Sequence, residues 1–156
     1  MWYAATAKFS GWWTLNVGIF WNKIGSPTKE DELIFEEKSE AFTVGISLSA
    51  DEKYYFITTS DHNTSEQYYF AVDEKIPNPK LIKKRNKGII YSVTSWDGFF
   101  YCHSNEDAED FKIEKCSDLS SQIWETYIAP KDGVLIGGLI FLNDWIIRSE
   151  TSNALS

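Results

Sequence analysis

The sequence predicts an all-β fold, a partial β-propeller, on three observations: a repeat of about 45 residues, short aromatic and β-branched runs in place of helical periodicity, and runs that are apolar on both faces. Each copy reads as strand, acidic turn, strand and polar hairpin. Phe42–Ser47, Ala50-Asp51-Glu52 and Lys53–Thr59 form one; Gly88–Val93, Trp96-Asp97-Gly98 and Phe99–Ser104 form the next; Val134–Phe141, Asn143-Asp144 and Trp145–Ser149 form a third. Tyr55, Phe100 and Ile146 hold equivalent places, 45 and 46 residues apart. A unit of this length carrying four short strands is the signature of a propeller blade, and roughly 4–8 blades are needed to close the ring. The sequence supplies two complete four-stranded blades and parts of two more. The expected boundaries are residues 1–38 for the last strands of one blade, 39–84 and 85–129 for the complete ones, and 130–156 for the first strands of another.

The elements follow from local chemistry. Trp2–Ala7, Thr14–Ile24 and Leu33–Phe35 are the expected strands of the first unit, with Gly25-Ser26-Pro27 as the loop after its middle strand. The second unit has Phe42–Ser47, Lys53–Thr59, Glu66–Val72 and Lys80–Lys83. Ile76-Pro77-Asn78-Pro79 separates the last two, because its prolines cannot donate to a ladder. Gly88–Thr94, Phe99–Ser104, Phe111–Cys116 and Trp124–Ile128 make the third unit, and Pro130–Gly133 leads to Val134–Phe141 and Trp145–Arg148. Tyr54-Tyr55-Phe56-Ile57 and Phe99-Phe100-Tyr101 are apolar at every position, which suits sheets stacked face to face. Seven Trp, eight Tyr and ten Phe supply the contact area for such stacking.

At 156 residues and 43% apolar content the chain is the size of one domain. Its net charge of −8 repels phosphate backbones and anionic headgroups, so nucleic acid and membrane surfaces are disfavoured as partners. The one basic cluster, Lys80–Lys87 with Lys83-Lys84-Arg85 at its centre, reads as a solvated loop between blades. No basic segment precedes a long apolar run, and Leu15–Trp21 is broken by Asn16 and Gly18, so neither a signal peptide nor a membrane span is expected. Asn63-Thr64-Ser65 matches a glycosylation sequon but reads as a hairpin turn.

Cys102 and Cys116 lie 14 apart with no CxxC spacing and no histidine pair nearby. A hairpin turning near Ala108 would set Cys102 opposite Lys112 or Ile113, so a disulfide to Cys116 requires a register shift. Free thiols and a cytoplasmic setting are the expectation.

Residues that could carry chemistry lack the context for it. Ser47 lies in Gly45-Ile46-Ser47-Leu48-Ser49, one position short of a nucleophile elbow, and is followed by a β-turn where an elbow enters a helix. His62 falls in a polar turn and His103 ends a strand; both suit structural or solvent-exposed roles. Glu30-Asp31-Glu32, Glu36-Glu37, Glu106-Asp107 and Glu109-Asp110 read as surface carboxylates with no apolar pocket to perturb them. Trp96-Asp97 sits in the turn between a blade's first two strands, not at the end of its third as in WD repeats. No catalytic, cofactor-binding or metal-binding residue is assigned, and no cofactor is expected.

Residues 42–66, with the Ser49-Ala50-Asp51 turn, the aromatic strand after it and the Thr64-Ser65-Glu66 hairpin, resemble the propeller of the prolyl oligopeptidase family, and within it the oligopeptidase B branch. Ser104-Asn105 with Asp107-Ala108 and Phe111-Lys112-Ile113, then Ser149-Glu150-Thr151-Ser152, resemble the matching turns of the next two blades. The resemblance covers most of residues 14–156 and is strongest over 42–72. It implies a seven-bladed propeller joined to an α/β-hydrolase domain with a Ser-Asp-His triad, the propeller admitting short flexible peptides and excluding folded proteins. The oligopeptidase B branch cuts after basic residues, using carboxylates of the hydrolase domain. No position here matches the triad, so no catalytic residue carries over and the chain alone is expected to be catalytically silent. The alternative is a stand-alone propeller-type module that closes by self-association and binds a protein or peptide.

Overall fold

The structure, a computed structural model, describes residues 8–9 and 15–152. The strand expected at Trp2–Ala7 lies outside the described residues. Thirteen strands are described in four antiparallel sheets, and a 3-10 turn at Thr28–Glu30 is the one helical element among the described residues. The first sheet is β1 (Lys8–Phe9), β2 (Leu15–Trp21) and β3 (Glu32–Glu37). The second is β4 (Thr43–Leu48), β5 (Tyr54–Ser60), β6 (Ser65–Ala71) and β7 (Lys80–Lys83). The third is β8 (Tyr91–Trp96), β9 (Phe99–Ser104), β10 (Lys112–Cys116) and β11 (Glu125–Ile128). The fourth is the hairpin β12 (Val134–Leu142) and β13 (Trp145–Ser152). Every sheet runs in chain order, each strand beside its sequence neighbour. This is the meander of a propeller blade, two complete and two partial.

Turn chemistry moves several strand ends from their expected places. Gly88 has φ +83 and lies in the turn closed by Ile89 N–H to Asn86 O, so β8 begins at Tyr91 and not at Gly88. Trp96 belongs to the strand, paired with Phe99, and the turn is Asp97-Gly98 alone. Both turn residues have positive φ, +48 and +77, the two-residue geometry whose twist matches the flanking strands. Phe111, at φ +67, is excluded from β10, and β3 extends two residues beyond the expected Phe35. β13 runs to Ser152, and a register shift between Ile136 and Leu139 marks the bulge at Gly137-Gly138. A Cβ at Gly137 would run into Ser149 Oγ and lie 3.3 Å from its Cβ and carbonyl oxygen, so glycine lets the two strands close up at the bulge.

Alternation places adjacent residues of one strand in different cores. Ile57 joins Ile19, Val44 and Phe70 between the first and second sheets. Its neighbour Phe56 joins Ile82, Tyr91, Val93, Phe100, Cys102, Cys116 and Leu119 between the second and third. Phe100 and Tyr101 divide in the same way, Tyr101 packing with Ile113 and Ile136 against the fourth sheet. This explains why the central strands have no polar face. Each large side chain so buried stabilises the stack by about 1.5–3 kcal/mol.

Candidate functional site

The side chains that the structure gathers most tightly are polar groups at the junctions between sheets. Arg85 lies in the connection after β7 and points back across two sheets. Its Nη2 donates to Glu37 Oε2 at 2.5 Å and to Glu66 Oε1 at 3.0 Å, its Nε donates to Glu66 Oε1 at 3.2 Å, and its backbone N–H donates to Glu66 Oε2 at 2.8 Å. The guanidinium also covers the Phe42 ring at 4.2 Å. Glu37 ends β3 and is 6% exposed, and Glu66 is equally buried on β6. Thr59 Oγ1 and the Ser39 N–H donate to Glu37, and Tyr68 Oη donates to Glu66, so all four carboxylate oxygens are engaged. Burial pushes both carboxyls up, yet the hydrogen bonds, led by those from Arg85, outweigh it and hold them below the usual carboxylate range. Tyr68 is pushed up to about 12 by its own burial and then by Glu66.

Arg85 and Lys83 are therefore not part of a solvated loop. Lys83, two residues earlier, points forward to the third sheet, with Nζ 3.1 Å from Glu106 Oε2, 3.8 Å from Glu114 Oε2 and 5.1 Å from the Trp124 ring centre. Lys84 between them is exposed. The Glu36-Glu37 pair is likewise not simply a surface cluster, because Glu37 turns inward while Glu36 stays exposed.

A second network ties β6 to β8. Ser65 Oγ donates to Tyr91 O and accepts from Tyr91 N–H, both at 2.7 Å, and Gln67 Oε1 accepts from Val93 N–H at 2.6 Å. Gln67 N–H donates to Tyr91 Oη at 2.8 Å, and that hydroxyl donates to Lys83 O. Edge-strand amides of the third sheet are thus satisfied by side chains of the second. Asp61 accepts from the Asn63 and Thr64 amides and closes the β5–β6 turn, where Thr64 Oγ1 accepts from Gly88 N–H at 3.2 Å. At the opposite end of the blade Asp51 accepts from Ser49 Oγ at 2.8 Å and from Ser95 Oγ at 2.5 Å, again bridging sheets two and three.

Ser47 is exposed on β4 opposite Phe56, and Thr43, four residues or about 13 Å of strand away, pairs with Ser60 near the His62 turn. His62 is exposed. His103 stacks on Phe111 at 4.5 Å and its Nε2 meets Ile136 O at 2.8 Å, joining the third sheet to the fourth. Serine and histidines are not brought together. Cys102 pairs with Glu114, not with Lys112 or Ile113, because the β9–β10 loop includes the left-handed Asp107 and Phe111. Cys116 stands opposite Phe100; both thiols are free and buried. Burial pushes Cys102 up to about 12 and Cys116 to about 11. Among the described residues no group of three or more His, Cys, Asp or Glu side chains could hold a metal ion. None of their helices is long and apolar enough to cross a membrane.

The sequence reading missed the Arg85 cluster and the Gln67–Tyr91 link. Its one available signal was Glu66-Gln67 at the head of the apolar run Tyr68-Tyr69-Phe70, polar residues where burial was already expected.

Stacked four-stranded meanders joined by polar contacts at their edges define the chain as propeller material, with its chemistry at blade junctions. The family model for the prolyl oligopeptidase N-terminal β-propeller domain matches residues 5–156, and the chain belongs to that family. It is 36% identical over 104 residues to Protease 2 of Moraxella lacunata, covering 65% of this chain and 15% of that protein. It is 26% identical over 136 residues to dipeptidyl aminopeptidase BI of Pseudoxanthomonas mexicana, covering 85% and 18%. Among solved structures, oligopeptidase B from Trypanosoma brucei with covalently bound antipain superposes with a TM-score of 0.81 at 22% identity, over 88% of this chain and 20% of that one. Oligopeptidase B from Leishmania major gives 0.78 at 16% identity, over 91% and 22%. The chain spans less than a quarter of each of these proteins.

Proposed function

We propose that the chain is the substrate-gating, non-catalytic portion of a serine oligopeptidase that hydrolyses short peptides after basic residues. The observation that carries this reading is the match over residues 5–156 to the N-terminal propeller domain of the family, together with the 36% identity to Protease 2. A propeller acts on substrate by size and access, and its rigid blades need no reactive group of their own. The proposed blade boundaries are 1–38, 39–84, 85–129 and 130–156; the three connections at 38–42, 84–90 and 129–133 support them. The two buried, free thiols support a cytoplasmic setting.

The test is a chimera in which residues 15–152 replace the matching segment of the Moraxella lacunata Protease 2. Retained cleavage of a short arginyl peptide with folded proteins left intact is the expected result. A folded chimera that degrades folded proteins would overturn the gating role. The isolated chain is expected to leave arginyl and lysyl peptide esters uncleaved. Hydrolysis that survives repurification and disappears in Ser47→Ala would overturn the non-catalytic assignment.

One observation favours a second reading, a self-associating module. Ile140 and Ile147, and next to them Leu142 and Trp145, are paired across the last hairpin and stand 47–71% exposed on one face.

A further inference from the structure

Among the described residues, Ile19, Val44, Ile57 and Phe70 with six half-buried side chains around them join the first and second sheets, and eight buried residues with three around them join the second and third. The first junction also carries a cluster of three charged side chains. Glu37 of β3, Glu66 of β6 and Arg85 of the β7–β8 connection come from three separate segments, and among the described residues Arg85 is the one group that bridges the two carboxylates. We propose that this cluster is an acid-sensitive clasp, which holds the first sheet on the second while both carboxylates are ionised and releases it when they are protonated.

The argument rests on donor geometry. Each of the four carboxylate oxygens accepts from an N–H or an O–H: Ser39 N–H on Glu37 Oε1, Thr59 and Arg85 on Glu37 Oε2, Tyr68 and Arg85 on Glu66 Oε1, and the Arg85 backbone N–H on Glu66 Oε2. Glu37 Oε2 and Glu66 Oε1 each accept from two groups or more, so a proton there meets a donor already in place, and a proton on either of the other two oxygens still removes the charge that Arg85 pairs with. The two hydroxyls can rotate away, but the guanidinium and the backbone amides cannot. A partly satisfied buried ion cluster is worse than none, because it leaves an uncompensated charge out of water. The other ionisable groups around it are Tyr68, neutral throughout the acid range, and Asp61 beside His62 in the β5–β6 turn, which lies close enough for its carboxyl to feel Arg85. At the second junction Asp51 accepts from the Ser49 and Ser95 hydroxyls, which can reorient, and at 3.3 Å from the Lys53 N–H of its own turn, with Lys53 Nζ 3.9 Å away. Lys83 there pairs with Glu106, which is 41% exposed and screened by solvent, and at 3.8 Å with Glu114, which also holds Lys112 at 3.0 Å, so a proton on one carboxylate leaves Lys83 the other. Acid therefore acts first on the junction whose two carboxylates depend on one guanidinium.

The test is hydrogen exchange by mass spectrometry on the whole chain from pH 7 to about 3.5, corrected for intrinsic rates, which reports local opening segment by segment. Amides of Val17–Trp21 and Glu32–Glu37 are expected to exchange about tenfold faster or more at the acid end, while those of Tyr91–Trp96 and Phe99–Ser104 keep their protection. In Glu37→Gln with Glu66→Gln the first sheet is expected to be released already at pH 7 and to respond no further to acid. Asp51→Asn is expected to leave the first sheet's profile as in the wild type. If the double variant does not fold, Arg85→Met replaces it; its first sheet is expected to be released at pH 7 and to regain protection as acid neutralises the two stranded carboxylates. Simultaneous loss of protection in all sheets, a first sheet protected throughout, or an acid response retained without the carboxylates would each overturn the clasp.

Discussion

Arg85 holds Glu66 through three hydrogen bonds, one from the backbone N–H and two from the guanidinium, so that main chain and side chain grip one carboxylate from both sides. The spare valence of the guanidinium then reaches Glu37 on another sheet. A blade junction in this chain is thus fixed by a single residue of the connecting segment.

Removing that residue leaves two buried carboxylates facing each other. Arg85→Ala is expected to destabilise the chain by about 3–5 kcal/mol, the cost of breaking a buried ion pair from one side. Replacing all three members by apolar residues of similar volume is expected to cost much less, because no charge is stranded. Urea denaturation of the single and triple variants checks both; equal losses in the two would show that packing of the arginine stem, and not charge, decides the effect.

The thiols make a pH prediction. Burial raises Cys102 to about 12 and Cys116 to about 11, well above the range of an ordinary thiol. The native state therefore keeps its thiol protons at pH values where the unfolded chain has lost them. Their contribution to stability is full below pH 9 and is lost as pH rises towards 11–12. At pH 8 a thiol reagent is expected to modify neither cysteine in the native chain and both in urea. Rapid native labelling of either would contradict its burial.

How much of this was legible in advance follows from the physics of each feature. Strand identity was readable because Tyr55, Phe100 and Ile146 repeat on a fixed period and because apolar alternation fails where both faces are buried. Strand ends were less so: Gly88, Asp97 and Phe111 move them through left-handed backbone that residue type alone only hints at. The Arg85 cluster was hidden for a different reason. Glu37, Glu66 and Arg85 are scattered over nearly fifty residues, and a charge run gives no sign of which member turns inward. Only sheet stacking decides that Lys84 meets water while Lys83 and Arg85 meet carboxylates.

The β5–β6 hairpin is expected to act through folding. Thr64 Oγ1 accepts from Gly88 N–H, and Ser65 Oγ makes two bonds to Tyr91, so both hydroxyls satisfy backbone of the next sheet. Replacing both by Ala removes these three bonds and should cost on the order of 1.5–4.5 kcal/mol, at about 0.5–1.5 for each hydrogen bond. Thermal unfolding measures the loss. A double variant with unchanged stability that fails to bind a peptide retained by the wild type would make the hairpin a recognition surface.

The last hairpin gives the final prediction. One face of β12–β13 packs Ile136, Leu139, Phe141 and Ile146 on the third sheet, and the opposite face presents Leu135, Ile140, Leu142, Trp145 and Ile147 to solvent. The register puts Ile140 opposite Ile147 and Leu142 opposite Trp145, so the exposed side chains form one continuous strip with no ionisable group in it. Water gains by covering such a strip, and nothing electrostatic opposes its contact with another apolar face. Sedimentation velocity at about tens of micromolar, the range in which exposed apolar surface commonly drives association, is expected to show species larger than the monomer. Trp145→Glu with Ile147→Lys should return the chain to monomer without loss of stability, since neither residue contributes to the core. A monodisperse wild-type monomer would show that the strip is too small to hold a partner.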